Sequence, residues 1–406
     1  MKFFIFHVFE GSELSLRENA GGVDSFIKCV INYSKQCKFP ITVIGRNKYF
    51  IPRIITNKEF KSSSSPISNQ TRLFPFFMYI LSNFILGLII FLLISAFSFK
   101  QRKDVVNIIH VHNPVIGGAL FLFPYYIRTI NIVQFHSEYS KRLKLILPKT
   151  LLSKLAIWLH SFFEKVCLLR ADRIIAINEN IFRYLIGIGC SSDKIRKIPI
   201  FLDTSYYNMN SAEVEKNKIT FGISKEKIVV TYIGRLSKEK NIEVIIRAFS
   251  YLDISIRRNL LLLIVGKGDE LGRLKSIAAS ISENLFFLGH RTDIKRILSI
   301  TDIFIIPSFT EGFPFSLLEA MATGKAIIAS NIPAIRKIVD DRKEALLFNP
   351  HNPEELRDLL LKLYSNQALR QELGKNARKK SKIYDAHTII PRLFKVYLEV
   401  LHKLPK

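Results

Sequence analysis

The chain has 406 residues, and 48% of them are hydrophobic, which is enough apolar material for two cores in domains of about 200 residues each. This composition excludes a disordered or fibrous protein. Lys and Arg number 60 against 34 Asp and Glu, and the net charge of +26 favours anionic partners such as acidic lipids, phosphorylated substrates or nucleic acid. The four cysteines show neither CxxC nor metal-ligand spacing, so we expect no disulfide scaffold.

The first elements of the chain indicate an α/β domain. A short apolar run at 3–9 predicts a buried strand, and Gly21 and Gly22 come just before a helical pattern. Acidic residues soon follow the apolar run, so we expect no signal peptide, a reducing compartment and a cytoplasmic location. The remaining elements predicted in this half are strands at 41–44, 105–111, 132–135 and 173–177 and a helix at 151–169.

The segment Leu73–Phe99 holds 27 residues without a charge. That length exceeds the ~20 residues that a helix needs to span a bilayer. A simple span would divide one predicted sheet between two sides of the membrane, and both flanks are basic, which favours both ends lying in the cytoplasm. We therefore expect an in-plane or re-entrant helix that contacts the lipid. A very apolar helix packed against the N-terminal sheet is the alternative.

A basic stretch with an apolar helical stripe follows further along the chain. No acid occurs between Glu138 and Glu164, and the lysines there could attract an anionic leaflet. We expect the stripe to pack into the core, with Trp158 beside it. The basic residues are Lys141, Arg142, Lys144, Lys149 and Lys154, and the stripe comprises Leu152, Leu155, Leu159, Phe162 and Val166.

The second half of the chain predicts a doubly wound parallel sheet. A hydrophilic stretch at about 205–218 marks a domain boundary, and the residues after 353 are helical. The predicted strands, each pair separated by a helical pattern, are 228–233, 260–265, 285–288, 303–306 and 326–329. We assign three parts: an N-terminal domain at 1–205, a second domain at 206–385, and a C-terminal helix at 386–406 that packs back toward the first domain.

Two loops at predicted strand ends carry cations or glycines. Ligands of such sheets bind at the carboxyl ends of the strands, near helix N-termini. Arg235 and Lys240 follow the strand 228–233, where two cations suit a diphosphate. Gly266 opens a Gly-Lys-Gly turn after the next strand. Solvated basic residues and an ordinary turn are the alternative readings of these loops.

A third loop carries two glutamates. Glu311 follows the strand 303–306, and Glu319 lies about one turn into a helix that begins near Phe315. Carboxylates accept hydrogen bonds from sugar hydroxyls, and the free amides at the helix start, at Phe315 and Ser316, could hold phosphate oxygens. The alternative for Glu319 is a capping or pairing role on the helix surface.

The stretch EGFPFSLLEAMATGKAIIAS, with seven residues between its two glutamates, resembles glycosyltransferase family 4. The resemblance covers most of the chain and is strongest from Ile228 to Phe348. It implies an α/β fold of the GT-B architecture, with two Rossmann-like doubly wound domains facing each other across a cleft. It also implies a retaining group 1 glycosyltransferase that uses a nucleotide-diphosphate sugar as co-substrate.

The same resemblance implies roles for individual residues. Glu311 would contact the hydroxyls of the donor sugar, and Glu319 the ribose. Arg235 and Lys240 would hold the diphosphate. The segment LGHR, which ends with His290 and Arg291, resembles the part of the family's chain that frames the nucleobase.

In the first half, Gly21 and Gly22 resemble the family's glycine pair, and His136 matches its strand-end histidine. The pair implies close approach of the backbone to the donor phosphate, and His136 is the predicted catalytic histidine beside Glu311. A plain helix entry and a structural histidine are the alternatives, and Ser137 departs from the glycine or aspartate usual after this histidine. We expect no metal, since the acidic residues lack a strand-end setting for Mg²⁺.

The predicted function is transfer of a sugar to a glycan or lipid-linked acceptor in bacterial surface polysaccharide biosynthesis. We expect a peripheral or monotopic enzyme on an anionic membrane surface, at the inner face of the plasma membrane, without nucleic acid or a resident cofactor. A membrane-attached non-catalytic scaffold of the same fold is one alternative. A basic nucleic-acid-binding protein is another, although the chain lacks a basic stripe with interleaved stacking aromatics.

Overall fold

The computed structural model describes residues 2–12, 30, 41–46, 52–55, 90, 105–122, 129–136, 150–224 and 226–401. The chain forms two compact units, the first made of Met1–Phe201 with Ala386–Lys406 and the second of Leu202–Asp385. The C-terminal helix thus belongs to the same unit as the N-terminal half. Gly21 and Gly22 lie outside the described residues, as does the apolar segment 73–99 except for Ile90.

Each unit is built on one sheet, and the described strands are parallel except at one edge of the first sheet. The first sheet has the order β3-β2-β1-β4-β5-β6-β7, with β3 antiparallel to β2, and the second has the order β10-β9-β8-β11-β12-β13. The strands are β1 Lys2–Ser12, β2 Ile41–Arg46, β3 Pro52–Ile55, β4 Val105–Val111, β5 Thr129–Phe135, β6 Arg173–Ala176, β7 Ile195–Lys197, β8 Ile228–Ile233, β9 Leu260–Val265, β10 Leu285–Gly289, β11 Ile303–Ile306, β12 Ala326–Ser330 and β13 Leu346–Phe348. The strand order reverses between β1 and β4 and between β8 and β11, which are the positions where open α/β sheets bind ligands.

Helices connect these strands, and several begin with a side-chain cap. Asn113 accepts hydrogen bonds from the amides of Val115 and Ile116, and Thr150 caps the helix that follows it. The helices are α1 Pro114–Phe121, α2 Leu151–Arg170, α3 Glu179–Gly187, α4 Ser211–Thr220, α5 Ile242–Ser250, α6 Ile254–Arg257, α7 Leu271–Ala278, α8 Ile294–Ile300, α9 Phe315–Ala322, α10 Pro333–Arg336, α11 Pro353–Ser365, α12 Gln367–Ser381 and α13 Ala386–Leu401. Within the described ranges, no helix combines the length and apolarity needed to cross a bilayer.

The second unit has a core on both faces of its sheet. Val230, Tyr232 and Ile305 pack in one cluster, whereas Phe304 and Ile306 pack in another. Because successive side chains of a strand point to opposite faces, this alternation requires helices on both sides of the sheet. The second unit is therefore doubly wound, as predicted from its apolar runs.

The core of the first unit joins its sheet to the C-terminal helix. Ile108, Ile132 and Ile175 from three parallel strands pack with Ile390 and Tyr397 of α13. All five side chains are fully or almost fully buried. The helix therefore completes the hydrophobic core of the unit that contains the N-terminal half of the chain.

The apolar stripe predicted to be buried in α2 faces outward in part. Leu155 and Phe162 are exposed, whereas Ala156 is buried in the contact with α1. A Cβ on Gly118 of α1 would lie 2.3 Å from the carbonyl oxygen of Phe163, so the two helix backbones approach closely. The prediction of a core stripe was wrong for Leu155 and Phe162, whereas Leu159 packs against the buried cluster as predicted. The small residues that allow this approach decide which face of α2 lies against α1.

Candidate active site

The loops after β8 and β11 meet at the strand-order reversal of the second sheet. The amide of Phe309 donates to the carbonyl of Glu239 at 2.9 Å. Asn241 has a left-handed backbone with φ 50°, and its side-chain amide donates to the carbonyls of Pro307 and Pro350 at 3.2 and 2.7 Å. These bonds satisfy polar groups that the ends of the strands leave open, and they fix the two loops to each other.

Lys240 and Glu311, which the sequence assigned to a ligand site, form an ion pair between these loops. Lys240 Nζ lies 2.7 Å from Glu311 Oε1, and Ser308 Oγ donates to the same oxygen at 2.7 Å. The Glu311 side chain is 8% exposed and that of Lys240 22%. Because water is largely excluded, the pair holds an ammonium and a carboxylate in fixed positions at the edge of the sheet.

Two glycines of the loop after β9 allow its backbone to lie close to the backbone of the Arg235 loop. Gly266 has φ +145°, and a Cβ there would lie 1.8 Å from the carbonyl oxygen of Gly234. A Cβ on Gly268 would lie 2.1 Å from the carbonyl oxygen of Leu236. Glycine is therefore required here for packing between the β8 and β9 loops, independently of any ligand.

Arg235 is exposed on the loop after β8, and its backbone carbonyl accepts a hydrogen bond from a buried side chain. The buried Tyr232 hydroxyl donates to the carbonyl of Arg235 at 2.8 Å. Burial, with the nearby carboxylates of Glu311 and Glu239, raises the pKa of Tyr232 well above its usual value, so the phenol remains a donor. Among the described residues, no carboxylate forms an ion pair with Arg235, so its guanidinium can meet an anion from solution.

Glu319 lies in α9, on the element that follows the Glu311 loop. Its Oε1 accepts a hydrogen bond of 2.7 Å from the hydroxyl of Tyr207. Burial raises the pKa of Glu319, and the Tyr207 hydrogen bond opposes that shift by stabilising the carboxylate. Phe315 and Ser316 occupy the first positions of the same helix, where amides have no acceptor within the helix and attract anions.

The LGHR segment follows β10, and its two last residues have different surroundings. His290 is exposed. Arg291 donates to both carboxylate oxygens of Asp293 at 2.8 and 2.7 Å, and its guanidinium lies 5.9 Å from the ring centre of Phe221. The Arg291 side chain is thus engaged within the protein, which leaves the exposed imidazole of His290 as the more accessible group of this segment.

In the first unit, His136 is part of a chain of polar aromatic side chains at the ends of β4 and β5. His136 Nε2 lies 3.0 Å from Nδ1 of His112, which stacks on His110 with 4.5 Å between ring centres. His110 Nδ1 in turn lies 2.7 Å from the hydroxyl of Tyr397 in α13. Burial lowers the pKa of His136 to about 4, so this imidazole is neutral at pH 7.

This lowered pKa of His136 predicts a dependence of stability on pH. In the unfolded chain this imidazole takes up a proton as the pH falls below 6.5, whereas in the folded protein it does so only near pH 4. The free energy of unfolding therefore falls as the pH falls through that window. Urea unfolding at pH 7 and pH 4 should show a loss about 3 kcal/mol larger in the wild type than in His136→Gln. Equal losses in the two proteins would contradict this assignment.

The structure thus brings some of the predicted site residues together and adds others. Lys240 and Glu311 are in contact, while Ser308 and Tyr207, which the sequence analysis did not select, hold the two glutamates. Ser308 carried a weak signal, as a hydroxyl residue just after a strand end. Tyr207 is 112 positions away from Glu319 and carried none. Within the described part of the chain, no three acidic, His or Cys side chains cluster as metal ligands would.

Two Rossmann-like units with a charged site at the strand-order reversal are typical of GT-B transferases, and comparison with known proteins supports this class. Residues 213–380 match the family described as Glycosyl transferases group 1, and residues 56–206 match Glycosyltransferase Family 4. The chain therefore belongs to the glycosyltransferases of the group 1, family 4 type. Sucrose-phosphate synthase from Thermosynechococcus elongatus has the same GT-B fold, with a TM-score of 0.75 at 16% identity over 100% of both chains.

Two relatives of known activity are similar in sequence. The UDP-Gal:alpha-D-GlcNAc-diphosphoundecaprenol alpha-1,3-galactosyltransferase of Escherichia coli is 28% identical, over 73% of this chain and 75% of that protein. The N,N'-diacetylbacillosaminyl-diphospho-undecaprenol alpha-1,3-N-acetylgalactosaminyltransferase of Campylobacter jejuni is 29% identical, over 57% of this chain and 61% of that protein. Both names describe transfer of a sugar to a lipid-linked acceptor.

Proposed function

We propose that this glycosyltransferase moves a sugar from a nucleotide-diphosphate donor to a lipid-linked glycan, with retention at the anomeric carbon, in bacterial surface polysaccharide biosynthesis. The observation that carries the proposal is the Lys240–Glu311 pair at the strand-order reversal, held by Ser308. The exposed guanidinium of Arg235 lies on the same loop as Lys240. Cations and a carboxylate at one sheet edge suit a ligand that joins a diphosphate to a sugar.

The charges of this site suit the departure of a nucleoside diphosphate. As the glycosidic bond of the donor breaks, negative charge grows on the diphosphate, and Arg235, Lys240 and the first amides of α9 can stabilise it. These groups are held in place before the reaction, so little reorganisation is needed during bond breaking. Glu311 accepts hydrogen bonds from sugar hydroxyls through a carboxylate whose orientation Lys240 and Ser308 fix.

His136 is proposed to contribute as a neutral hydrogen-bonding group. With a pKa of about 4 its imidazole is a weak base at pH 7, so orientation of a hydroxyl fits its chemistry better than full removal of a proton. The His112 contact keeps the ring in one orientation. Gly21 and Gly22, proposed to lie near the donor phosphate, are outside the described residues.

The acceptor and location follow from the similar proteins and from charge. The names of the two relatives include undecaprenol-linked acceptors, which supports a lipid-linked acceptor here. A net charge of +26 and the uncharged segment Leu73–Phe99 support attachment to the inner, anionic face of a plasma membrane. The enzyme would then meet a soluble donor and a membrane-bound acceptor at one surface.

A donor screen combined with product analysis tests the proposal. Sugar nucleotides with different bases and sugars are compared by thermal unfolding, and at 100 times Kd a bound donor should add about 2.7 kcal/mol of stability. The donor that stabilises the protein is then incubated with a prenyl-diphosphate-linked sugar, and NMR determines the anomeric configuration of the product. Binding without transfer would favour the non-catalytic scaffold, and an inverted product would exclude retention.

Tyr207→Phe should weaken recognition of the donor through Glu319. Loss of the hydroxyl removes the hydrogen bond of 2.7 Å to a buried carboxyl, which costs about 1–3 kcal/mol and raises the pKa of Glu319 further. We expect a higher KM for the donor with a smaller change in kcat, measured by steady-state transfer assays. Tyr251→Phe is the matched control, because it removes the hydroxyl of a tyrosine of the same unit that is 45% exposed, and it should leave KM unchanged.

A further inference from the structure

One face of α2 exposes a continuous stripe of large apolar side chains. Leu151 is 84% exposed, Leu155 45%, Trp158 63%, Phe162 43% and Leu169 78%. At 3.6 residues per turn these positions fall within about 60° of the helix circumference. Single exposed apolar residues need no explanation, but five on one face form a patch of the kind that marks an interaction surface.

The exposed charged side chains of α2 itself are all positive. Lys154, Lys165 and Arg170 are exposed on the same helix. The sequence of α2 has one acidic residue, Glu164, which is buried and accepts a hydrogen bond from Tyr184 at 2.9 Å. The outward face of α2 therefore combines apolar side chains with cations and presents no carboxylate.

This combination of apolar and cationic side chains favours an anionic lipid surface over other binding partners. Two copies of the chain pairing through this face would bring their cations together, which disfavours a symmetric dimer. An in-plane helix at a bilayer surface has these properties, with Trp, Phe and Leu in the acyl boundary and Lys and Arg near the phosphates. The stacked rings of Trp158 and Phe162, 6.1 Å apart, suit the interfacial depth that aromatic side chains prefer.

We infer that the exposed face of α2 docks on an anionic membrane, with the helix axis lying in the plane of the interface. This surface consists of residues of α2 and includes none of Leu73–Phe99, and the inference rests on the proposed function only in that a lipid-linked acceptor requires a membrane. Insertion of the stripe transfers apolar area out of water, while the three cations hold the helix to acidic headgroups.

The chain contains a single tryptophan, so its fluorescence reports on this face alone. The full-length protein is mixed with phosphatidylglycerol–phosphatidylcholine vesicles. We expect co-sedimentation, a shift of Trp158 emission to shorter wavelength, and quenching by lipids brominated near the headgroup. Leu151→Glu with Leu155→Glu should weaken vesicle binding about tenfold or more. Ile219→Glu with Ile254→Glu is the matched control, since it alters two exposed apolar residues of the second unit by the same charge.

Several outcomes would overturn the inference. Co-sedimentation without an emission shift would place the membrane contact elsewhere, for example at Leu73–Phe99. A blue-shifted emission without lipid would show that the chain or a second copy already covers the face, and a dependence on protein concentration would identify the second copy. Equal loss of binding in both double variants would show that the change in net charge, and not the face of α2, controls vesicle binding. Donor stabilisation and transfer to a water-soluble acceptor are measured in parallel, so failure of the proposed function is seen separately.

Discussion

Glu311→Gln should lower the rate of sugar transfer by about 100-fold or more while leaving the protein folded. The substitution keeps the shape of the side chain, and its amide oxygen can still accept from Ser308. It removes the charge that pairs with Lys240 at 2.7 Å, so the ammonium is no longer held in place and sugar hydroxyls lose an ionised acceptor. Transfer is measured with saturating donor and acceptor, and folding by thermal unfolding.

A second buried pair in the same unit provides a matched control. Glu344, in the loop before β13, is 3% exposed and pairs with Lys380 of α12 at 3.0 Å. Glu344→Gln therefore removes a comparable charge, and we expect a similar loss of stability with transfer unchanged. Normal turnover in Glu311→Gln, or an equal fall in both variants, would show that the Lys240–Glu311 pair has a structural role only.

The strands of the second unit could be predicted closely from the sequence. Ile228–Ile233, Leu260–Val265 and Ile303–Ile306 are strands over the whole of the predicted runs. Strands of a parallel sheet covered on both faces are apolar along their length, so their limits coincide with the limits of the apolar runs. The positions of Lys240 and Glu311 followed from these strands, because both residues lie just beyond a carboxyl end.

Contacts between distant parts of the chain could not be predicted in this way. The period of α2 shows that it is a helix, but its buried face depends on Gly118, whose backbone meets that of Phe163. The hydrogen bond from Tyr207 to Glu319 likewise joins residues that only the folded topology brings together. Hydrophobic patterning fixes the elements, whereas small residues and single hydroxyls at non-local contacts decide how they face one another.

Gly266→Ala should destabilise the second unit by about 3 kcal/mol or more, and it should also weaken donor binding. An L-residue is strained at φ +145°, and the new Cβ would lie 1.8 Å from the carbonyl oxygen of Gly234. That carbonyl belongs to the loop that carries Arg235 and Lys240, so relief of the overlap displaces both cations. Urea unfolding and donor-induced thermal stabilisation measure the two effects.

Gly272→Ala separates this steric effect from the general consequence of replacing glycine. Gly272 is an exposed residue of α7, and a Cβ there would meet no atom within 4 Å. The substitution should stabilise the helix by up to about 1 kcal/mol, because alanine loses less backbone entropy than glycine. The two variants should therefore shift the free energy of unfolding in opposite directions. If Gly266→Ala were as stable as Gly272→Ala, the loop after β9 could move to accept the new Cβ without a loss of stability. The close backbone approach would then not be what fixes the positions of the two cations after β8.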